Sequence, residues 1–307
     1  MLNTIDTAGH PRDMGLAQGA AARHEIRAEA ARLGLPLRRS TWPTLRALAV
    51  GSVRGEGAGR EMLRHFAHLS ERLEGLARSA DLPIDAVLEM HLRVRAGGAQ
   101  AGLLSRRATM GARAVSDQRE RKTWRLERSV PRALADECGW VLRESVPVVG
   151  YRSIELTLPW LVTSVAGLNE RGLAVVGGPL LWGAPGREGD PTSLLLVQEC
   201  LQRFSDLEGA LDWCLKRPVE GEQSILLTDA SGALASVIVN GRERRVQRGE
   251  GELHLDGGEP APTGRYTDEA EEPDWIWLDP LARRVRVRHG GAEVDAVLAP
   301  SEGEEAE

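Results

Sequence analysis

Three cysteines, one turn asparagine and a pair of histidines are the side chains whose types could carry chemistry. A cysteine thiolate attacks amides and esters. A carboxamide N–H can hold the oxyanion that forms, and such a donor is worth about 3 kcal/mol in the transition state. The cysteines are Cys138, Cys200 and Cys214. Their spacing matches no zinc or Cys-x-x-Cys pattern, and an odd number argues against a disulfide framework. Cys200 and Cys214 fall within amphipathic helical segments and are expected to be buried. Cys138 reads as a helix-end or core thiol. Asn169 stands in Ala166-Gly167-Leu168-Asn169-Glu170-Arg171-Gly172-Leu173-Ala174-Val175. That segment reads as strand, tight turn, strand, and asparagine and glycine suit such a turn whatever the function. His65 and His68 lie three apart on a predicted helix and read as polar-face residues, so no metal is expected. Ser105 and Thr109, in an arginine-rich stretch, read as surface hydroxyls. Trp160 follows Pro159 and could wall a pocket for an acyl group, or pack in the core. No phosphate loop, Walker pattern or dinucleotide fingerprint is present, so no cofactor is expected.

Composition limits the function classes. The chain has 307 residues, 42% of them hydrophobic, enough for one large core or two smaller ones. The formal net charge of -6 argues against a general nucleic-acid binder, which usually needs a basic domain or stripe. The short run Arg283-Arg284-Val285-Arg286-Val287-Arg288 alternates valine with arginine and reads as a solvated strand face. No apolar run is long enough to span a bilayer, and Met1 to Asp6 has no signal-peptide pattern. A cytoplasmic location without membrane contact is the simplest expectation. The arginine- and valine-bearing strand edges offer surfaces for pairing into a homo-oligomer.

The elements that must position these groups fall into blocks. Residues 1 to about 98 read as a helical N-terminal segment packed on the core. One helix is predicted over Ala17 to Leu33, stopped by Gly34 and Pro36. A second runs from Ala58 to Ala80, with Leu63, Phe66, Leu69, Leu73 and Leu76 in one stripe. A third starts near Pro83 and turns Ala86, Val87, Met90 and Val94 inward. Strands follow at Trp140 to Leu142 and Ser153 to Leu158, and the Asn169 turn joins two more. Two helices come next, Ser193 to Phe204 and one opened by a Ser205–Glu208 capping box. Strands return at Ser224 to Leu227, Leu234 to Val239, Trp275 to Leu278 and Arg284 to Arg288. Residues 99–300 form the core, and the acidic tail 301–307 is expected to be disordered. Segregated blocks argue for layered α+β rather than βαβ winding.

Several stretches, in this order, resemble the C45-like acyltransferases of the N-terminal-nucleophile hydrolase superfamily. They are Gly9-His10-Pro11-Arg12-Asp13-Met14-Gly15-Leu16-Ala17-Gln18-Gly19, Leu73-Glu74-Gly75-Leu76-Ala77, the Asn169 turn, and Leu226-Leu227-Thr228-Asp229-Ala230-Ser231-Gly232. The resemblance implies a four-layer αββα sandwich. It implies a cysteine at the first residue of the first core strand, which cuts the chain ahead of itself and uses the freed amine as base. It assigns Asn169 the oxyanion position. In this chain the best match to the family's Gly-Cys-Thr is Gly98-Ala99-Gln100, so Ala99 stands at the degenerate nucleophile position. Two readings stay open. One is a catalytically silent binding or scaffold protein, and the other is an active hydrolase or acyltransferase with a different nucleophile. Either would hold a small-molecule amide or acyl ligand.

Overall fold

The computed structural model describes residues 2–38, 65–95, 109–116, 122–130, 139–181, 194–217, 219, 222–240, 243–249, 253–256, 259–260 and 274–299. Its architecture is α+β: two β-sheets flanked by helices, consistent with a four-layer αββα sandwich. The chain opens with strand β1 (Asn3–Gly9) and helices α1 (Pro11–Ala21), α2 (Arg23–Arg32), α3 (Ala67–Ser79) and α4 (Ile84–Arg95). Strands β2 (Thr109–Ser116), β3 (Lys122–Val130), β4 (Val141–Pro147), β5 (Ser153–Thr157), β6 (Ala166–Asn169) and β7 (Ala174–Leu181) follow. After helices α5 (Leu194–Arg203) and α6 (Leu207–Lys216) come β8 (Glu222–Thr228), β9 (Leu234–Asn240), β10 (Glu243–Arg248), β11 (Leu253–Asp256), β12 (Glu259–Pro260), β13 (Asp274–Asp279), β14 (Arg284–His289) and β15 (Ala292–Val297).

The eight-stranded sheet has the order β1-β4-β5-β6-β7-β8-β9-β10, and the seven-stranded sheet β12-β11-β2-β3-β13-β14-β15. Strand alternation divides the core. Ala174, Val176 and Leu226 join the large cluster that includes Leu126, Ile276 and Val285 of the second sheet. Their neighbours Val175, Ile225 and Leu227 instead pack with Leu196, Cys200, Leu211 and Cys214 of α5 and α6. A sheet buried on both faces needs apolar residues at consecutive positions, as β7 and β8 have. On β14, Val285 and Val287 are buried while Arg284 and Arg286 are exposed and pair with Asp295 and Glu293. This is the expected solvated strand face.

Small residues seat the N-terminal helices. A Cβ on Gly15 would lie 2.0 Å from the Arg72 carbonyl oxygen, and one on Gly75 2.1 Å from that of Arg12. Gly19 meets the Leu76 carbonyl in the same way. Two of the family-like stretches are therefore two sides of one close contact between α1 and α3, where any side chain would overpack.

Several expectations are corrected. Asn3–Gly9 is a strand rather than part of a helical block, paired parallel to β4 at the sheet edge. Edge pairing needs only the main chain, and its alternating burial is short. The predicted helix over Ala17 to Leu33 is two helices, broken at Ala22, whose ψ of 24° leaves the helical range. The cap of α6 is Asp206, which accepts from the Gly209 N–H at 2.9 Å, whereas Glu208 pairs with Arg248. A carboxylate one residue closer outcompetes the serine hydroxyl. The arginine-rich stretch after residue 99 contains two paired strands, β2 and β3. The start of the second predicted helix, the tail 301–307 and the side chain of Val94 lie outside the described residues.

His91 locks α4 to the loop after β5. The Val162 N–H donates to its Nε2 at 3.1 Å, so the ring proton sits on Nδ1 and is donated to the Val87 carbonyl at 2.8 Å. Burial lowers the His91 pKa to about 4, despite the Val87 bond. The unfolded chain takes up this proton near pH 6.5. Between these values the unfolded state binds more protons, so stability falls as pH falls, by up to about 3 kcal/mol in all. His91→Gln can keep both hydrogen bonds without titrating. Urea unfolding should show the parent losing about 3 kcal/mol more than this variant between pH 7 and pH 4; parallel losses would contradict the assignment.

Candidate functional site

Asn169 is fully buried at the end of β6, and all its hydrogen-bonding capacity is in use. Its Oδ1 accepts from the Arg171 and Leu173 N–H groups at 3.1 and 3.0 Å, which shapes the hairpin turn. Its Nδ2 donates to the Leu201 and Phe204 carbonyls at 2.9 and 2.8 Å. Those carbonyls are unpaired ends of α5, which the side chain caps from outside the helix. Both N–H groups are spent in this arrangement.

The other sequence candidates disperse. Cys200 and Cys214 are buried with sulfurs 3.5 Å apart. The contact with Cys214, together with burial, pushes the Cys200 thiol well above its ordinary range, so it stays protonated. Trp160 is fully buried in the main core, and its indole N–H has no partner among the described residues. His68 contacts the buried carboxylate of Glu199, which Arg203 also reaches at 3.1 Å. Among the described residues no group of three or more His, Cys, Asp or Glu is placed to hold a metal. Ala99, Ser105 and Cys138 lie outside the described residues. Strand β2 opens at Thr109, beyond Ala99 in sequence.

A buried ionic network, absent from the sequence reading, organises this region. Arg143 of β4 and Glu155 of β5 are direct cross-strand partners, both fully buried. The Arg143 Nε donates to Glu155 Oε2 at 2.7 Å. Its Nη1 donates to Gln18 Oε1 at 2.8 Å and to the Leu161 carbonyl at 2.9 Å. Its Nη2 donates to Gln198 Oε1 at 2.8 Å. Glu155 Oε1 accepts from Ser153 at 2.6 Å and from Gln198 Nε2 at 2.7 Å. Burial alone would raise the Glu155 pKa, but Arg143, Arg72 and the Ser153 and Gln198 hydrogen bonds outweigh it and hold the carboxyl below its usual range. The sequence signal was a charged residue at an inward position of each alternating strand, Val141-Leu142-Arg143 and Ile154-Glu155-Leu156.

The network continues through Ser145 and Thr7 to Arg72 of α3. Arg72 Nη2 donates to both hydroxyls at 3.3 Å. Among the described residues its Nε and Nη1 have no hydrogen-bond partner, although the residue is only 1% exposed. Burial, and then the like charge of Arg143, lower the Arg72 pKa to about 9, with Glu155 opposing.

Arg72 lies in the lining of a cleft of about 530 Å³. The start of α1, one face of α3, the loop after β4 and the end of α5 enclose it. Main-chain bonds fix its walls: Val148 N–H to the Gly9 carbonyl at 3.0 Å, and Tyr151 N–H to the Gln202 carbonyl at 2.9 Å. Gly150, at φ 111°, permits that approach, since a Cβ there would lie 2.4 Å from the Gln202 oxygen. Asn169 holds the same end of α5, so it positions the cleft wall without entering the cleft. Trp160 is not in the lining.

A second buried guanidinium links the two sheets. Arg128 of β3 donates its Nε to the Gly177 carbonyl of β7 at 2.7 Å, beside a register shift in that strand. Burial lowers its pKa to about 10.

Comparisons with known proteins give a partial likeness. No family model matches the chain, and no curated protein matches it in sequence. Among solved structures it is similar to penicillin V acylase from Agrobacterium tumefaciens. Identity is 14%, the TM-score 0.41, and the match covers 61% of this chain and 84% of that one. It is also similar to a mutant of conjugated bile acid hydrolase from Clostridium perfringens, at 9% identity and TM-score 0.40, over 62% of this chain and 92% of that one. A different variant of that hydrolase matches at 14% identity and TM-score 0.25, over 49% and 46%. Each is a likeness of chain path over part of the molecule.

Asn169→Ala removes four buried hydrogen bonds and leaves carbonyls of α5 and amides of the turn unpaired. It should cost about 2–4 kcal/mol of unfolding free energy. A urea titration showing a loss below about 0.5 kcal/mol would contradict this architectural role.

Proposed function

We propose that this chain is a catalytically silent binding protein on an amide-hydrolase-like fold, holding a small acyl or amide compound in the cleft between α1 and α5. The observation that carries the reading is the condition of Asn169. The carboxamide assigned to an oxyanion has both N–H groups committed to α5, so no donor remains for a reacting carbonyl. Catalysis of acyl transfer depends on such a donor being free and aimed. The alanine at position 99 supports the same reading, because a methyl group neither attacks an amide nor starts self-cleavage. The buried, protonated thiol of Cys200 supports it too.

An active hydrolase or acyltransferase is the second reading, favoured by one observation. Strand β2 begins with Thr109, a residue bearing a hydroxyl. Were the chain cut ahead of it, the new α-amino group could serve as base for that hydroxyl.

Intact mass spectrometry of the purified chain, before and after prolonged incubation, separates the two. The silent protein should remain one uncut chain. Two fragments divided near residue 99, or immediately ahead of Thr109, would overturn it in favour of the enzyme.

A further inference from the structure

We infer that the cleft takes an organic carboxylate, a single negative charge on an apolar body, and that Arg72 is the residue that receives the charge. The inference rests on the binding reading above and names its ligand class.

The lining is one-sided in charge. Among the described residues it includes the guanidiniums of Arg72 and Arg203 and no aspartate or glutamate, in a chain whose acidic residues outnumber its basic ones by 45 to 39. Asp13, beside Gly9, Glu199, which His68 and Arg203 contact, and Glu155, which interacts with Arg72, stand outside the lining.

Arg72 is the decisive group. Two guanidiniums, Arg72 and Arg143, share the single buried carboxylate of Glu155, and Arg143 makes the direct bonds to it. Among the described residues Arg72 has two hydroxyls, both at 3.3 Å, while its Nε and Nη1 make no hydrogen bond. A buried cation so poorly matched is costly unless something completes it. A carboxylate meets a guanidinium along a planar edge, and on Arg72 each of the two edges, Nε–Nη2 and Nη1–Nη2, keeps one unused donor, Nε or Nη1, beside the Nη2 that the hydroxyls hold. Helix α1 starts at the same cleft, and its cap residue His10 makes no side-chain bond to the first turn. That positive helix end adds to the attraction for an anion.

The rest of the lining selects an apolar body. Met14, Leu69, Pro147, Val148 and Val149 form much of the wall, and Val149 is 86% exposed at the rim. A cleft of about 530 Å³ is far larger than an inorganic anion needs and falls in the range of small-molecule sites.

Titration calorimetry of the full chain at low ionic strength, with sodium octanoate, octanamide and inorganic phosphate, tests the inference. Octanoate should bind at one site, at least about tenfold tighter than octanamide, the difference expected for charge-assisted hydrogen bonds. Arg72→Met should abolish that preference while keeping the side-chain length. Should that variant fail to fold, Val149→Asp decides, because the position is exposed and the fold does not depend on it. The added carboxylate should weaken octanoate by a clearly larger factor than octanamide, and an equal loss for the two would overturn the role of charge. Equal binding of octanoate and octanamide would overturn the role of Arg72 but leave the cleft a binding site. Phosphate binding as tightly as octanoate would overturn the carboxylate assignment. No binding of octanoate or octanamide would end both this inference and the binding reading of the cleft.

Discussion

The buried pair of Arg143 and Glu155 is the constraint on which the helix side of the molecule depends. Two ions taken out of water are stable only if every donor and acceptor around them is matched. Here the matching groups come from four places: Gln18 on α1, Gln198 on α5, the main chain after β5, and Ser153 on β5 itself. The pair therefore fixes where α1 and α5 sit on the eight-stranded sheet. Leu142 and Leu156, the preceding and following cross-strand neighbours, belong to the large apolar core. One strand pair thus serves a dry core and a polar seam on alternate residues, which is the geometry of a strand rather than a coincidence of composition.

Helix placement is finished by contacts that leave no slack. Gly15, Gly19 and Gly75 bring α1 and α3 to backbone distance, which carries Arg72 to the inner end of the seam. Asn169 ties the end of α5 to the hairpin, and Tyr151 ties the loop after β4 to the same helix end. The cleft is the space left where these restrained ends converge. Its shape is set by main-chain bonds, and its charge by the one guanidinium that the seam does not satisfy. A binding site made this way is largely formed before any ligand arrives, which lowers the ordering cost of binding.

Much of the layered fold was legible because it is written in local pattern. Ser153-Ile154-Glu155-Leu156-Thr157 alternates and is a strand, and the Leu69, Leu73 and Leu76 stripe is a buried helix face. The Asn169 turn was legible as a hairpin for the same reason. What its carboxamide does was not legible, because its partners Leu201 and Phe204 are distant in sequence. Strand β1 was missed because an edge strand is specified by a partner's main chain, here β4, and not by its own residues. The seam was missed because Gln18, Arg143, Glu155 and Gln198 lie on four separate elements. A lone glutamine on a helix reads as a surface residue until the ion it matches is in view. The family-like glycines of α1 and α3 have a physical content of their own, a close helix contact.

The Arg143–Glu155 pair acts as one unit that holds the helices on the sheet. A double-mutant cycle with Arg143→Met, Glu155→Gln and the combined variant, read by urea unfolding at pH 7, tests it directly. Either single change strands a buried partner and should cost about 3–5 kcal/mol, and the combined variant should cost well under the sum, with a coupling of about 2 kcal/mol or more. Additive losses, with coupling below about 0.5 kcal/mol, would contradict it.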